Sequence, residues 1–360
     1  MAGFNVDRSL SENMAAAMAF WHTHRHERGL QYVLLLKLGS RDCRVTIAAI
    51  DNWIDSVEII GARGSGNLGG NRYTQRLVNQ VVEDLRAKHG VDFTNDRIAH
   101  AFLYNTCEQV KHTLSTENEA VITVKSSPVT SFTASITKYD FELLSFDIVA
   151  RTIDLVQQLL DDCMMPKSSI TDVVVFGGCA NTVDFTEHLS YFFARNFPDQ
   201  LLNPNDIIAY GAAVHSAILT EPSFQQRGGI FIRDVAPTHI GTYDDEGAVI
   251  IIERNTPLPA RKSYVFGAFD EGNSEVEVPV GVWDVDGDFD ELGMVTLELG
   301  EVVAEGSLRE IRVTLSLDAE YHLVVEVCGK SSGKCSRLDF GEHRTKGIEE
   351  RSEETPMALE

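Results

Sequence analysis

Three groups of residues in this 360-residue chain have types and spacings that could do chemistry. The first is LLLKLGSRD, residues 34–42, where an apolar run ends in a glycine turn, as strands do before presenting backbone amides to a phosphate. Lys37 and Arg41 stand where such a turn would want an acid and another small residue, so a phosphate site, a ruined one and an ordinary hairpin are all open readings. The second is HTHRHERG, with His22, His24 and His26 at alternate positions. No Cys stands there and the run lies among charges between a helix and a strand, so a solvated loop is favoured over a metal site. The third is the cysteines: Cys43, Cys107, Cys163, Cys179, Cys328 and Cys335 form no CxxC pair and no zinc spacing, which suits a reducing compartment. Cys328 and Cys335 flank GKSSGK and could face each other across a hairpin, but two free thiols are the expectation rather than a regulatory disulfide.

The elements around these residues follow from periodicity. Residues 9–21 are helix formers, with Ser9 or Ser11 placed to cap the first turn. QYVLLLK and CRVTIAAI pair as strands around the turn at 39–42, and SVEIIGARGSGNLGG adds a third strand and a glycine-rich turn. Leu77, Val78, Val81, Val82 and Leu85 recur at helical spacing, and Gly90 ends that helix. Further helices are expected near 96–114 and 139–160, and after Pro166 the chain reads strand, Gly-Gly turn, helix, which argues α/β organisation to about residue 220. From Asp234 to about Phe340, short alternating strands and turns predict an antiparallel β domain, and the charged residues 342–360 an acidic disordered tail. The length allows two domains, 43% hydrophobic and 24% charged residues suit a globular chain, and no apolar run approaches the roughly 20 residues of a membrane span. Asp7 and Glu12 interrupt the N-terminus where a signal peptide would be apolar, so an intracellular protein is expected. The net charge of -23 repels polyanions, leaving free nucleic acid and anionic membrane as poor partners.

CEQVKHTLST at 107–116, VVVFGGCANTVDF at 173–185 and NPNDIIAYGAAVHSAIL at 203–219, in that order and spacing, resemble the Hsp70 family, and DVAPTHIG followed by IIERNTPLPARK resembles the start of its peptide-binding β domain. AGFNVDRSL, LLLKLG and TPLPARK are most similar to the divergent cytosolic branch called Hsp70-like protein 1, which is associated with a ribosome-bound J-domain partner. The resemblance implies an α/β plus all-β chain: one lobe of an actin-like ATPase fold over 1–222, a linker over 223–233, and a β-sandwich peptide-binding domain over 234–341. Residue 2 aligns with the middle of the family's ATPase domain and no helical lid follows the β domain. Either a truncated product or a working protein built from half an ATPase and a lidless peptide module is expected.

Within that resemblance KLGSRD is the second phosphate hairpin, with Lys37 in place of an acid and Ser40 and Arg41 in place of glycines, and Ser65 replaces a further acid. Hydrolysis should therefore be impaired, Mg²⁺ is not expected, and no residue is assigned a catalytic role. Glu108, Lys111 and Ser115 match residues that contact ribose and base, and Gly177 and Gly178 match the turn under the nucleoside, which implies weak ATP or ADP binding. His112 and Asn181 replace arginines and Asn205 an acid, so a solvated Glu108–Lys111 pair and a plain tight turn are the competing readings. In the β domain Ala248, Phe266, Val276 and Val278 fall on the peptide groove, with Glu275 and Glu277 on the opposite face; a core that binds nothing is the alternative. IFIRD at 230–234 resembles the apolar linker that docks on the ATPase lobe, or is an ordinary hinge. The implied function is a chaperone component in the cytosol that binds unfolded or nascent polypeptide, with a J-domain co-chaperone and protein-mediated ribosome contact. A competent ATPase chaperone and a non-chaperone scaffold are the alternatives.

Overall fold

The computed structural model describes residues 8–27, 29–90, 97–125, 131–182, 185–197, 201–221, 229–244, 247–269, 275–283, 288–299, 308–330 and 332–340. The expected tail at 342–360 and part of the 223–233 linker lie outside these residues. The chain falls into two compact units, one of residues 31–47 and 63–211, the other of 1–30, 48–62 and 212–360. No helix among the described residues is long and apolar enough to cross a membrane.

Helix α1 (Glu12–Thr23) starts at Ser11, whose side chain accepts from the Met14 N–H, so Ser11 and not Ser9 is the cap. Met14 through Trp21 are all buried, as a helix apolar on every side must be. Strands β1 (Leu30–Leu38), β2 (Cys43–Asp51) and β3 (Ser56–Ser65) come next, and their burial matches the expected apolar runs. Helix α2 (Gly70–His89) ends at Gly90, left-handed at φ 65°, which satisfies the helix end through a bond to the Arg86 carbonyl. Helix α3 (Arg97–Leu114) leads into a two-stranded pair, β4 (Glu119–Lys125) and β5 (Ser131–Thr137), absent from the expectations above. Helix α4 (Lys138–Asp162) opens on a capping box between Thr137 and Asp140, and β6 (Asp172–Phe176), α5 (Phe185–Phe193) and α6 (Ile207–Thr220) complete the α/β part.

β7 (Phe231–Arg233) lies within the stretch read as a linker or hinge and pairs parallel with Ser56–Glu58 of β3. The resulting five-stranded sheet runs β6-β1-β2-β3-β7, with β1 and β6 parallel from Val33 opposite Asp172 to Lys37 opposite Phe176. The remainder consists of β8 (His239–Asp244), β9 (Gly247–Ile252), β10 (Ala260–Phe269), β11 (Glu275–Trp283), β12 (Phe289–Glu298), β13 (Leu308–Leu317), β14 (Leu323–Gly329) and β15 (Cys335–Asp339). They form two four-stranded sheets, β12-β11-β8-β9 and β10-β13-β14-β15, whose inner faces share one apolar core that includes Val278, Val280, Ile311, Val313, Val325 and Phe340.

One expectation is corrected here. Cys328 and Cys335 are joined as a disulfide and not left as free thiols, because the β14–β15 register sets them directly opposite with Cα atoms 4.1 Å apart. The other cysteines are free. His22 closes α1 and His24 caps it, with His24 Nδ1 3.0 Å from the Phe20 carbonyl oxygen.

Candidate functional site

Within the 31–47 and 63–211 unit, parallel β1 and β6 end side by side, at Leu38 and Phe176. Loops at the carboxyl ends of parallel strands are where open α/β sheets hold ligands. Three glycine turns meet there. The Cys179 N–H donates to the Leu38 carbonyl at 3.1 Å, the Gly177 N–H to the Pro204 carbonyl at 3.0 Å, and the Gly70 N–H to the Gly39 carbonyl at 2.9 Å. Gly177 has φ 103°, and a Cβ there would sit 2.5 Å from the Leu38 carbonyl oxygen, so only glycine lets β6 turn this close to β1. Gly178 beside it faces open space.

The 39–42 turn is a closed hairpin, with the Gly39 N–H donating to the Asp42 carbonyl at 2.9 Å. Its backbone is docked on the start of α2: besides Gly70, the Asn71 N–H donates to the Ser40 carbonyl at 2.7 Å. A helix N-terminus is a natural anion site because its first amides are unpaired, but two of these amides already bond carbonyl oxygens of the hairpin. The Asp42 carboxylate is buried between two cations, with Lys37 Nζ at 3.3 Å and Arg44 Nε at 3.5 Å from Oδ2. Hydrogen bonds and ion pairs internal to the protein therefore already engage the hairpin acid and two of the nearest amides.

The structure brings Glu108 and Lys111 together on α3, but not as a solvated pair. Lys111 is 1% exposed, and its ammonium bonds Glu108 Oε1 at 2.7 Å, Glu108 Oε2 at 2.8 Å, Thr74 Oγ1 at 3.2 Å and the Gly70 carbonyl at 3.3 Å. Thr74 in turn donates to Glu108. Burial works against the ionised Glu108, but the hydrogen bonds from Lys111 and Thr74, with the charges of Lys111 and His112, hold its carboxyl below the usual range. These bonds join α3 to the first turn of α2. Thr74 and Gly70 were not foreseen as members of the cluster. The Lys111 part was readable, because Leu103, Cys107, Val110 and Leu114 mark the inward face of α3 and Lys111 falls on it. Ser115 lies apart from this cluster, donating to the His112 carbonyl at 2.6 Å. The Cys179 thiol lies against Gly70 and is pushed up, first by burial.

The four groove candidates take different environments in the antiparallel unit. Val278 is fully buried in the core, Phe266 and Val276 are partly buried against it, and Ala248 is exposed opposite Tyr243. Glu275 and Glu277 are exposed, as alternation requires.

The comparisons with known proteins bear on the whole chain. Its residues 1–358 match the family model described as Hsp70 protein. It is 31% identical over 343 residues to a "Heat shock 70 kDa protein" of Neurospora crassa, covering 94% of this chain and 52% of that protein. It is 30% identical over 355 residues to the "Chaperone protein DnaK" of Thermotoga neapolitana, covering 96% and 58%, and 28% identical to the "Heat shock 70 kDa protein BIP3" of rice (Oryza sativa subsp. japonica), covering 97% and 52%. The chain thus spans about half the length of most of the curated relatives it matches.

Proposed function

The chain belongs to the Hsp70 family, and from that premise we propose that it is a cytosolic chaperone component that binds unfolded or nascent polypeptide through its antiparallel β unit and holds ATP or ADP weakly, with impaired hydrolysis. The observation that carries this reading is the state of the phosphate hairpin. Phosphoryl transfer needs free amides and acids aimed at oxygens and Mg²⁺. Here Lys37 and Arg44 hold the hairpin acid Asp42, and Gly39 and Ser40 take up the first amides of α2.

The chain's residues are a poor fit to a magnesium nucleotide at this hairpin, since two cations flank the one buried acid. On the adenosine side, Glu108 and Lys111 bond each other, which leaves the open Gly178 turn as the surface a nucleoside would lie on. Peptide binding is supported by the family and by an apolar core that reaches the surface at Phe266 and Val276. A J-domain co-chaperone belongs to the proposal through the family, and ribosome contact through the resemblance to the ribosome-associated branch, with a partner protein as the intermediary because the charge of -23 repels RNA.

Steady-state ATP hydrolysis by the full chain, with and without a J-domain protein, is the direct test. Turnover no faster than the buffer background is expected, and robust turnover would return the reading to a competent ATPase chaperone. Titration of a fluorescent apolar heptapeptide should raise its anisotropy. A flat titration with the protein folded would favour a scaffold over a chaperone.

A further inference from the structure

We propose that Cys328 and Cys335 form a reversible thiol–disulfide site, opened and closed by exchange with a low-molecular-weight disulfide such as oxidised glutathione. The two residues sit directly opposite across β14 and β15 in a register that runs from Val324–Asp339 to Cys328–Cys335. Their sulfurs are outside the core: Leu323, Val325 and Val327 point inward, so Val324, Glu326 and Cys328 occupy the other face of β14. Cys335 is exposed and Cys328 half-buried, so a small disulfide can reach the pair.

Cys328 pairs on its other side with Arg312, and Cys335 follows Lys334. Glu326 has a carboxylate oxygen within 4.8 Å of both sulfurs, a grouping that could hold a metal ion. Its carboxylate is already 3.4 Å from Arg261 and its β15 partner is Arg337, which favours sulfur exchange over metal capture. The four remaining cysteines form a contrast. Burial pushes the Cys43 and Cys107 thiols up to about 12 and the Cys163 thiol to about 11, and it raises Cys179 as well, so at neutral pH none is poised to exchange.

The bond is also dispensable to the hairpin. β15 keeps its five register pairs, the Gly329 N–H donates to the Lys334 carbonyl at 3.0 Å, and Phe340 is buried just beyond the strand. The reaction balances in two steps. The Cys335 thiolate attacks oxidised glutathione and releases one glutathione thiolate, and the Cys328 thiolate then displaces the second and forms the Sγ–Sγ bond. Two electrons pass to glutathione, and two protons leave the cysteines.

The test is to equilibrate the full chain in glutathione buffers of graded oxidation, trap thiols with an alkylating agent and weigh the peptides. Cys328 and Cys335 should gain and lose the label together, with a mass loss of two hydrogens at the oxidised end, while the buried Cys43, Cys107 and Cys179 alkylate only after denaturation and the label on Cys163 does not depend on the glutathione ratio. A pair blocked at every ratio, open at every ratio, or carrying separate glutathione adducts would overturn the proposal. As a second measure, Cys328→Ser with Cys335→Ser should fold, with β15 amides exchanging about tenfold faster than in the oxidised protein. Failure of that variant to fold, with the reduced wild-type chain unfolding as well, would make the bond a permanent staple and count against reversibility.

Discussion

At the scale of single residues, the site is decided by how ionised groups find partners. Lys111 is buried, and its ammonium carries bonds to Glu108, Thr74 and Gly70. Lys111→Met should therefore lower stability by about 1–3 kcal/mol in chemical denaturation, since it leaves Glu108 half-buried without its cation. Lys111→Met combined with Glu108→Gln should lose less than the single variant, because the uncompensated charge is gone as well. The depressed Glu108 carboxyl also sets a pH dependence. Its contribution to stability is complete above the unfolded value of about 4.3 and is lost as pH falls through the lower folded value, so Glu108→Gln should flatten the acid limb of unfolding. Asp234 has the opposite sign. Burial raises its carboxyl despite hydrogen bonds from Ser11 at 2.6 Å and from the Val235 N–H at 2.8 Å. The folded chain thus holds this proton longer than the unfolded chain does, and stability declines as pH rises from about 4 through the folded value. Asp234→Asn should remove that decline in a denaturation series across pH, and an unchanged slope would refute the assignment.

At the scale of elements, turns matter more than strands. Gly177→Ala would place a side chain at φ 103° against the Leu38 carbonyl, at a cost of about 1–3 kcal/mol measured by thermal melting. Gly178→Ala, which meets nothing within 4 Å, is the control and should melt near the wild type. Much of this layer was legible. The strands flanking 39–42, the α2 stripe ended by Gly90 and the alternation of Glu275, Val276, Glu277 and Val278 rest on local patterns, which depend only on neighbours in sequence. The β4–β5 pair was missed although its signal is local, since β-branched residues fill EAVITVK and Ala120 and Ile122 are buried on either side of Val121, which is 62% exposed. β7 could not be read as sheet, since three residues gain strand structure only by pairing with β3 more than 170 positions earlier. The same non-locality explains the hairpin. Its substitutions were visible at Lys37, Ser40 and Arg41, but the docking of its carbonyls on Gly70 and Asn71 depends on a contact that spacing does not encode.

At the scale of the whole molecule, the question is whether nucleotide can govern the rest of the chain. A ligand shifts a conformational equilibrium only through contacts that differ between its states. The β7 segment is held by parallel pairing with Ser56–Glu58 and by an ion pair between Arg233 and Glu58. None of these bonds is made by the 39–42 hairpin, whose carbonyls bond Gly70 and Asn71. With Asp42 neutralised by Lys37 and Arg44, a bound phosphate has little differential interaction to convert into motion of β7. Trypsin cleavage after Arg233 should therefore proceed at the same rate, within about twofold, with and without saturating ATP, because local opening of β7 and not nucleotide sets the rate. Clear ATP-dependent protection, on the order of tenfold or more, would mean that the hairpin still senses phosphate and that Lys37 and Arg41 are tolerated substitutions in a working switch.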